Sequence, residues 1–188
     1  MSFDGGMVVL MLGKNCGGRV MLRLRPYKRC DADKIVSWIQ DEEAFYKWSA
    51  GVLGAYPITA EDLNAHYDKQ ADSDSYYTMT AFDETGAVGQ LIMRFLDEEK
   101  KTLRFGFVIV DASKRGKGYG KEMISLALKF AFDIMKVEKV TIGVFDNNPA
   151  AYRCYKSVGF TEMGEEFNKT YQMMGGDRKC IELEIGRK

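Results

Sequence analysis

The chain is poor in the residues that build metal sites. Its single histidine, His66, has no partner cluster, and the four cysteines, Cys16, Cys30, Cys154 and Cys180, are scattered without paired short spacings. No metal site is expected. Neither charge is in excess: lysine plus arginine and aspartate plus glutamate number 27 each. Bulk electrostatics therefore offers nothing to nucleic acid or to an anionic membrane surface. Long apolar runs are missing as well. The longest near the N-terminus, Met7 to Leu12, is too short to cross a bilayer and has no basic segment before it. A cytoplasmic location is expected, and no internal repeat is visible.

What remains is enough for one core, since 188 residues suit a single domain. Residues 1–19 are glycine-rich and aperiodic and read as an N-terminal extension, flexible or contributing a strand; the domain proper is expected over 20–188. Val20, Leu22 and Leu24 alternate with polar neighbours in a first strand that Pro26 closes. Asp31 then stands as the cap of a helix carrying Ile35, Val36, Trp38 and Ile39 on one face, followed by a helical piece through Trp48. Thr59 and Asp62 approximate a capping box for a helix from Ala60 to about Gln70. Three strand-like runs, Tyr76–Phe82, Val88–Leu96 and Thr102–Val110, are joined by short turns and predict an antiparallel meander. In the third, Leu103, Phe105, Phe107 and Ile109 are expected on one face, with Arg104, Gly106, Val108 and Val110 on the other.

The informative stretch follows that third strand: Val110-Asp111-Ala112-Ser113-Lys114-Arg115-Gly116-Lys117-Gly118-Tyr119-Gly120-Lys121. Three alternate glycines let backbone N–H groups converge on one concavity, and the helix N-terminus with Lys114, Arg115, Lys117 and Lys121 makes it attractive to anions. A solvated basic turn would carry the same charge but has no need of three glycines. Two familiar phosphate loops do not fit. A Walker A loop needs a hydroxyl after Gly-Lys for magnesium, and Glu122 stands there. A dinucleotide fingerprint needs its third glycine three positions after its second and an acid near the end of the next strand; here the spacing is two and Glu138 precedes that strand.

Beyond the loop, Met123, Ala127, Phe130, Ala131 and Ile134 recur at helical spacing, so the loop opens an amphipathic crossover helix. The crossover places the next strand, Lys139–Phe145, parallel to Thr102–Val110. Asn148-Pro149 then reads as an N-cap with proline at the first helical position, the helix running through Tyr155 to a stop at Gly159. A strand at Gly159-Phe160 and a polar loop at about 168–177 precede the last strand, where Ile181, Leu183 and Ile185 alternate with Glu182 and Glu184.

Arg115-x-x-Gly118-x-Gly120 resembles the pyrophosphate-binding loop of the GNAT superfamily of N-acetyltransferases. One helix and one strand later, Asn148, Ala151, Tyr155 and Gly159-Phe160 match that superfamily's second strand-to-helix unit. Met21 to Asp41 is also similar to the N-terminal strand and helix of the branch that includes ribosomal-protein N-terminal acetyltransferases. The resemblance implies an α+β fold, an α/β/α sandwich with a mixed, mostly antiparallel sheet of about seven strands and helices on both faces. It implies acetyl-coenzyme A as cosubstrate without a metal, and a small-molecule or peptide amine as acceptor to a monomer or homodimer. A non-catalytic acyl-coenzyme A sensor is the alternative.

Residue roles follow from the same resemblance. Val108, Ile109 and Val110 would bond the pantetheine arm, with Asn148 beside it. Arg115, Gly116, Lys117, Gly118, Tyr119, Gly120 and Lys121 would hold the pyrophosphate, and Tyr152 and Lys156 would assist cofactor binding. Tyr155 would support the departing thiolate: a thiol with pKa near ~8.5 needs modest help, and a tyrosine hydroxyl near ~10 can supply it. The acceptor must attack as a neutral amine. At pH 7 an α-amine near ~7.8 is roughly a tenth neutral, and a lysine near ~10.4 only about four parts in ten thousand. Where the ribosomal-protein branch commonly carries a glutamate, this chain has Arg104. Arg104 could recognise an acceptor carboxylate or phosphate, or form a cross-strand salt bridge; Glu43 and Trp48, with Phe45, Tyr46 and Tyr56, are candidates for the acceptor cleft.

Overall fold

The computed structural model describes residues 21–187, so the expected extension at 1–19 lies outside the described residues. Strand β1 (Arg23–Pro26) leads through a short turn into α1 (Ala32–Ser37), α2 (Glu42–Ser49) and α3 (Ala60–Asp68). The meander β2 (Tyr76–Asp83), β3 (Gly86–Phe95) and β4 (Thr102–Val110) follows. Helix α4 (Tyr119–Lys129) crosses to β5 (Lys139–Phe145), and α5 (Pro149–Val158) precedes β6 (Thr161–Glu162), β7 (Lys169–Met173) and β8 (Gly176–Gly186). The sheet order is β1-β2-β3-β4-β5-β8-β6, with β7 also on β8; among the described residues only β4 and β5 run parallel. This is the expected mixed sheet, with eight strands among the described residues.

Local chemistry explains most elements. Asp41 accepts from the Ala44 N–H at 2.7 Å to cap α2, and Thr59 and Asp62 form the reciprocal box that starts α3. Asp31 departs from its expected cap role. Its buried carboxylate instead takes both guanidinium nitrogens of Arg25, the Lys28 N–H and the Thr80 hydroxyl, so it ties β1 and β2 to the turn before α1. The polar loop expected at 168–177 is a hairpin. Met174 and Gly175 both have positive φ, as a two-residue turn between right-twisted strands demands.

Side chains from the two faces of the sheet build two apolar clusters. Leu91, Met93, Leu103 and Phe105 pack under α4 and α5, whereas Ile92, Ile109 and Phe107 pack under α1–α3. Phe107 is therefore on the face opposite to the one its alternation with Phe105 predicts. Gly106 pairs with Ile92 but Ile109 pairs with Gln90, so Phe107 and Val108 together oppose Leu91. This bulge, with Phe107 at φ +48°, resets the strand's facing before it reaches the glycine loop.

Candidate active site

The bulge and the parallel pairing together open the sheet. Strands β4 and β5 pair from Thr102 with Lys139 to Phe105 with Ile142 and then diverge, although both continue toward their C-terminal ends. A narrow cavity fills the divergence. Gly106, Phe107 and Val108 of β4 and Ile142, Gly143 and Val144 of β5 line it, together with Lys47 and Trp48 of α2 and Asn148 and Tyr155 of α5.

Tyr155 is 5 % exposed, and its hydroxyl has no hydrogen-bond partner among the described residues. Burial pushes its pKa above the ordinary tyrosine value, with smaller contributions from Cys154 and Cys180, so at neutral pH the group is a proton donor. Asn148 uses its carbonyl oxygen to cap α5 through the Ala151 N–H at 3.2 Å, which leaves the amide NH2 as what it can present. Tyr152 is directed elsewhere: its hydroxyl donates to Glu162, and it does not line the cavity. Lys156 is exposed on α5.

At the end of β4 the glycine loop has the geometry that alternate glycines suggest. Gly116 and Gly118 sit at φ +73° and +85°, a region that favours glycine, and a Cβ on either would face open space. Gly118 is the N-cap of α4 and supplies no side chain, so no capping side chain takes the first-turn N–H groups of Tyr119, Gly120 and Lys121. That uncapped, positive helix end fits an anionic group such as a pyrophosphate. The basic side chains divide. Lys114 turns to the β2–β3 connection, 3.5 Å from Asp83 and over the Tyr119 ring, and the Tyr119 hydroxyl donates to Asp83 at 2.9 Å. Arg115 and Lys117 fold back onto the carbonyls of Val110 and Ser113. Lys121 is exposed in the first turn.

On the acceptor side, Trp48 donates to the Phe107 carbonyl at 2.8 Å, fixing α2 to the bulge. Glu43 accepts from Asn147 at 3.1 Å and pairs with Lys47 at 2.9 Å, at the edge of the same cavity. Arg104 forms the cross-strand salt bridge: both guanidinium nitrogens bond Glu182 of β8, so its fork is not directed to an outside carboxylate or phosphate. Gly143 and Lys47 line the cavity and were missed by the sequence reading. Glu182, read there only as a polar alternate of the last strand, is buried, and the β5–β8 register pairs it with Gly143.

Comparison with known proteins agrees with this geometry. The family model of the acetyltransferase (GNAT) domain matches residues 21–161. The chain belongs to the GNAT acetyltransferase family. An N-acetyltransferase 9-like protein of Caenorhabditis briggsae is 25 % identical over 178 residues, 87 % of this chain and 86 % of that one. The SPbeta prophage-derived uncharacterized N-acetyltransferase YokL of Bacillus subtilis is 27 % identical over 111 residues, 58 % of this chain and 62 % of YokL, so the match spans less than two thirds of that relative. A spermidine N(1)-acetyltransferase of Vibrio cholerae is 36 % identical over 70 residues, 35 % of this chain and 40 % of that enzyme. The crystal structure of spermidine N-acetyltransferase from Vibrio cholerae in complex with CoA and spermine superposes with a TM-score of 0.74 at 20 % identity, covering 88 % of this chain and 95 % of that one, and shows the shared fold. These matches correct the branch suggested by Met21 to Asp41: they bring polyamine enzymes rather than ribosomal-protein acetyltransferases. Among the described residues no helix is long and apolar enough to cross a membrane, and no cluster of metal-ligating side chains occurs.

Proposed function

We propose that this chain transfers acetyl from acetyl-coenzyme A to a primary amine of a small molecule by direct attack, without a covalent enzyme intermediate. The observation that carries the reading is the divergence of β4 and β5 between two complementary features: the uncapped α4 N-terminus at one end and the unpartnered Tyr155 hydroxyl in the cavity wall. In this reading the backbone N–H groups at Gly116 to Lys121, with Arg115 and Lys117, take the pyrophosphate, and main-chain groups of Val108, Ile109 and Val110 take the pantetheine amides. Asn148 contributes its amide NH2, while Lys156 and Tyr119 flank the cofactor. Lys114 and Tyr152 drop out, since Asp83 and Glu162 hold them.

The chemistry asks little more of the protein. The neutral amine nitrogen forms the new bond to the acyl carbon and the carbon–sulfur bond breaks; Tyr155 donates a hydrogen bond or proton to the thiolate, and the proton that the nitrogen loses balances the one gained by sulfur, passing through solvent to restore Tyr155. The spermidine and spermine enzymes among the relatives support a small-molecule amine as acceptor class. A thiol-release assay with acetyl-coenzyme A and a panel of polyamines, amino-acid amines and peptides tests the reading. Release with any of these amines supports it. Tight coenzyme A binding without release for any acceptor would favour a sensor, and no binding at millimolar coenzyme A would exclude both.

A further inference from the structure

The amine side of the site lacks the acid that β4 would bring, because Arg104 occupies that position. The fold supplies one from another strand. Glu182 of β8 reaches Arg104 across β5, and both side chains are largely removed from solvent, at 4 % and 13 % exposure. Gly143 touches both the pair and the cavity. A Cβ on Gly143 would lie 2.7 Å from Arg104 Nη2 and 3.3 Å from Glu182 Oε1, and Gly143 itself forms cavity wall. A bare backbone is thus what keeps this carboxylate next to the place where the acceptor reacts.

Three further observations support a ligand at Glu182 beyond Arg104. An ionised carboxylate offers about four acceptor positions, and the guanidinium fork occupies two. A primary ammonium already approaches from the solvent side: Lys169 Nζ stands 3.9 Å from Glu182 Oε1 on a stem that is 55 % exposed. Beside Arg104 in the β4–β5 register, the buried Thr141 hydroxyl has no hydrogen-bond partner, so the polar floor is not saturated by the protein.

We propose that Glu182 Oε1 anchors the second, non-reacting ammonium group of an alkyl diamine acceptor while its other nitrogen attacks as the neutral amine, with Arg104 fixing the carboxylate and Lys169 competing for the same oxygen. This rests on the acetyl-transfer reading, which makes the cavity the reaction site. Oε1 already accepts from Arg104 Nη2 at 2.9 Å, so the neutral pair attracts a cation only through that oxygen's remaining acceptor position, and the anchor selects amines on slender, unbranched stems like the lysine that approaches it.

The test is calorimetric titration of the coenzyme A-loaded protein with 1,4-diaminobutane. Lys169→Met removes the competitor from an exposed position and should tighten diamine binding about two- to fivefold, the range an exposed ion pair supports. The double variant Arg104→Gln/Glu182→Gln removes both charges together, leaving no lone buried ion, and should weaken it by more than about tenfold with coenzyme A affinity unchanged. A purely structural salt bridge would not respond to Lys169→Met. Unchanged diamine affinity in either variant overturns the anchor, as does the absence of diamine binding to the wild type. Thiol release with another acceptor would then leave the acetyl-transfer reading standing, whereas diamine binding with the expected variant shifts but no thiol release would fault that reading and keep the anchor.

Discussion

Trp48 donates its indole N–H to the carbonyl oxygen of Phe107 at 2.8 Å, and the two rings lie 5.7 Å apart. Phe107 is a bulky residue in the left-handed region, an unfavourable conformation that persists only where neighbours impose it. Here the Trp48 hydrogen bond and the rings of Trp48 and His66 impose it. Helix α2 is thereby coupled to the bulge that opens the cavity. Trp48→Phe keeps an aromatic ring but leaves the Phe107 carbonyl unpaired, which costs about 1–3 kcal/mol. Urea unfolding should show that loss. Turnover should fall while coenzyme A affinity, which the proposal places mainly at the glycine loop, holds; equal losses in both would disconnect the bulge from the chemistry.

Tyr155 separates stability from function more cleanly. Its hydroxyl bonds no described residue, so Tyr155→Phe removes no protein hydrogen bond and should leave the unfolding midpoint nearly unchanged. Turnover should drop by ~10²-fold, the lower range for a lost proton donor. Burial raises the pKa of this hydroxyl, so the donor form persists through the ordinary tyrosine range. The wild-type pH–rate profile should accordingly show no alkaline loss near ~10 that Tyr155→Phe abolishes; such a loss would mean the group titrates normally.

Gly118 and Gly120 should fail for different reasons. A methyl on Gly118 meets no atom within 4 Å, and its penalty is the left-handed backbone at φ +85°, about 1–2 kcal/mol. Gly118→Ala should therefore weaken coenzyme A roughly tenfold by reshaping the helix start, with a fold that survives. Gly120 has ordinary φ, but its Cβ would lie 3.4 Å from Cys154 Sγ, where α4 meets α5. Gly120→Val should lower the melting temperature more than Gly118→Ala does. Equal coenzyme A affinity in wild type and Gly118→Ala would remove the loop from the phosphate site.

The sequence displayed the cofactor half of this site better than the acceptor half, for a physical reason. The proposed phosphate loop uses consecutive residues, so Gly116, Gly118 and Gly120 mark it in one stretch, and the proposed Asn148 to Tyr155 contacts lie together in another. The acceptor side is assembled across strands. Glu182 reaches Gly143 and Arg104 only through the β4–β5–β8 register, which residue order does not state. The bulge at Phe107 was harder to read: one extra residue inverts the facing of the residues from Phe107 on, and the only local mark is Gly106 just before it, which the alternating pattern absorbed as an ordinary strand position. The β7–β8 hairpin escaped because a Met174-Gly175 turn carries a weaker signal than Asn-Gly, and its strand is polar and exposed.

Acid should reveal Asp31. Burial alone would raise its pKa, but the Arg25 guanidinium, the Lys28 N–H and the Thr80 hydroxyl hold it below the ordinary carboxylate value. A depressed folded pKa means the contribution is complete above the unfolded value, near ~3.9, and is lost as pH falls through that value toward the folded one. Several exposed acids share this direction, so the informative quantity is the difference between wild type and Asp31→Asn. That difference, on the order of 3 kcal/mol at pH 7 for a broken, mostly buried pair, should shrink in urea titrations below pH 4. A gap that stays constant from pH 7 to pH 3 would show that Asp31 is not ionised against Arg25 in the native state.

Gly143→Ala probes the acceptor floor without touching a charged residue. The added methyl would stand 2.7 Å from Arg104 Nη2 and 2.8 Å from Cys180 Sγ, closer than real contacts allow, so the guanidinium or the thiol must move. Cys180 is buried on β8 where it pairs with both Phe145 of β5 and Lys169 of β7, a position held by two neighbouring strands, which directs the displacement to Arg104 and hence to Glu182. Overpacking of this kind costs about 1–3 kcal/mol, enough to register in urea unfolding without abolishing the fold. The glycine loop lies at the far end of β4, so coenzyme A affinity should hold. The KM for the amine acceptor should rise, because the carboxylate proposed to hold its ammonium group is shifted. Stability loss with an unchanged acceptor KM would assign the Arg104–Glu182 pair to the scaffold alone.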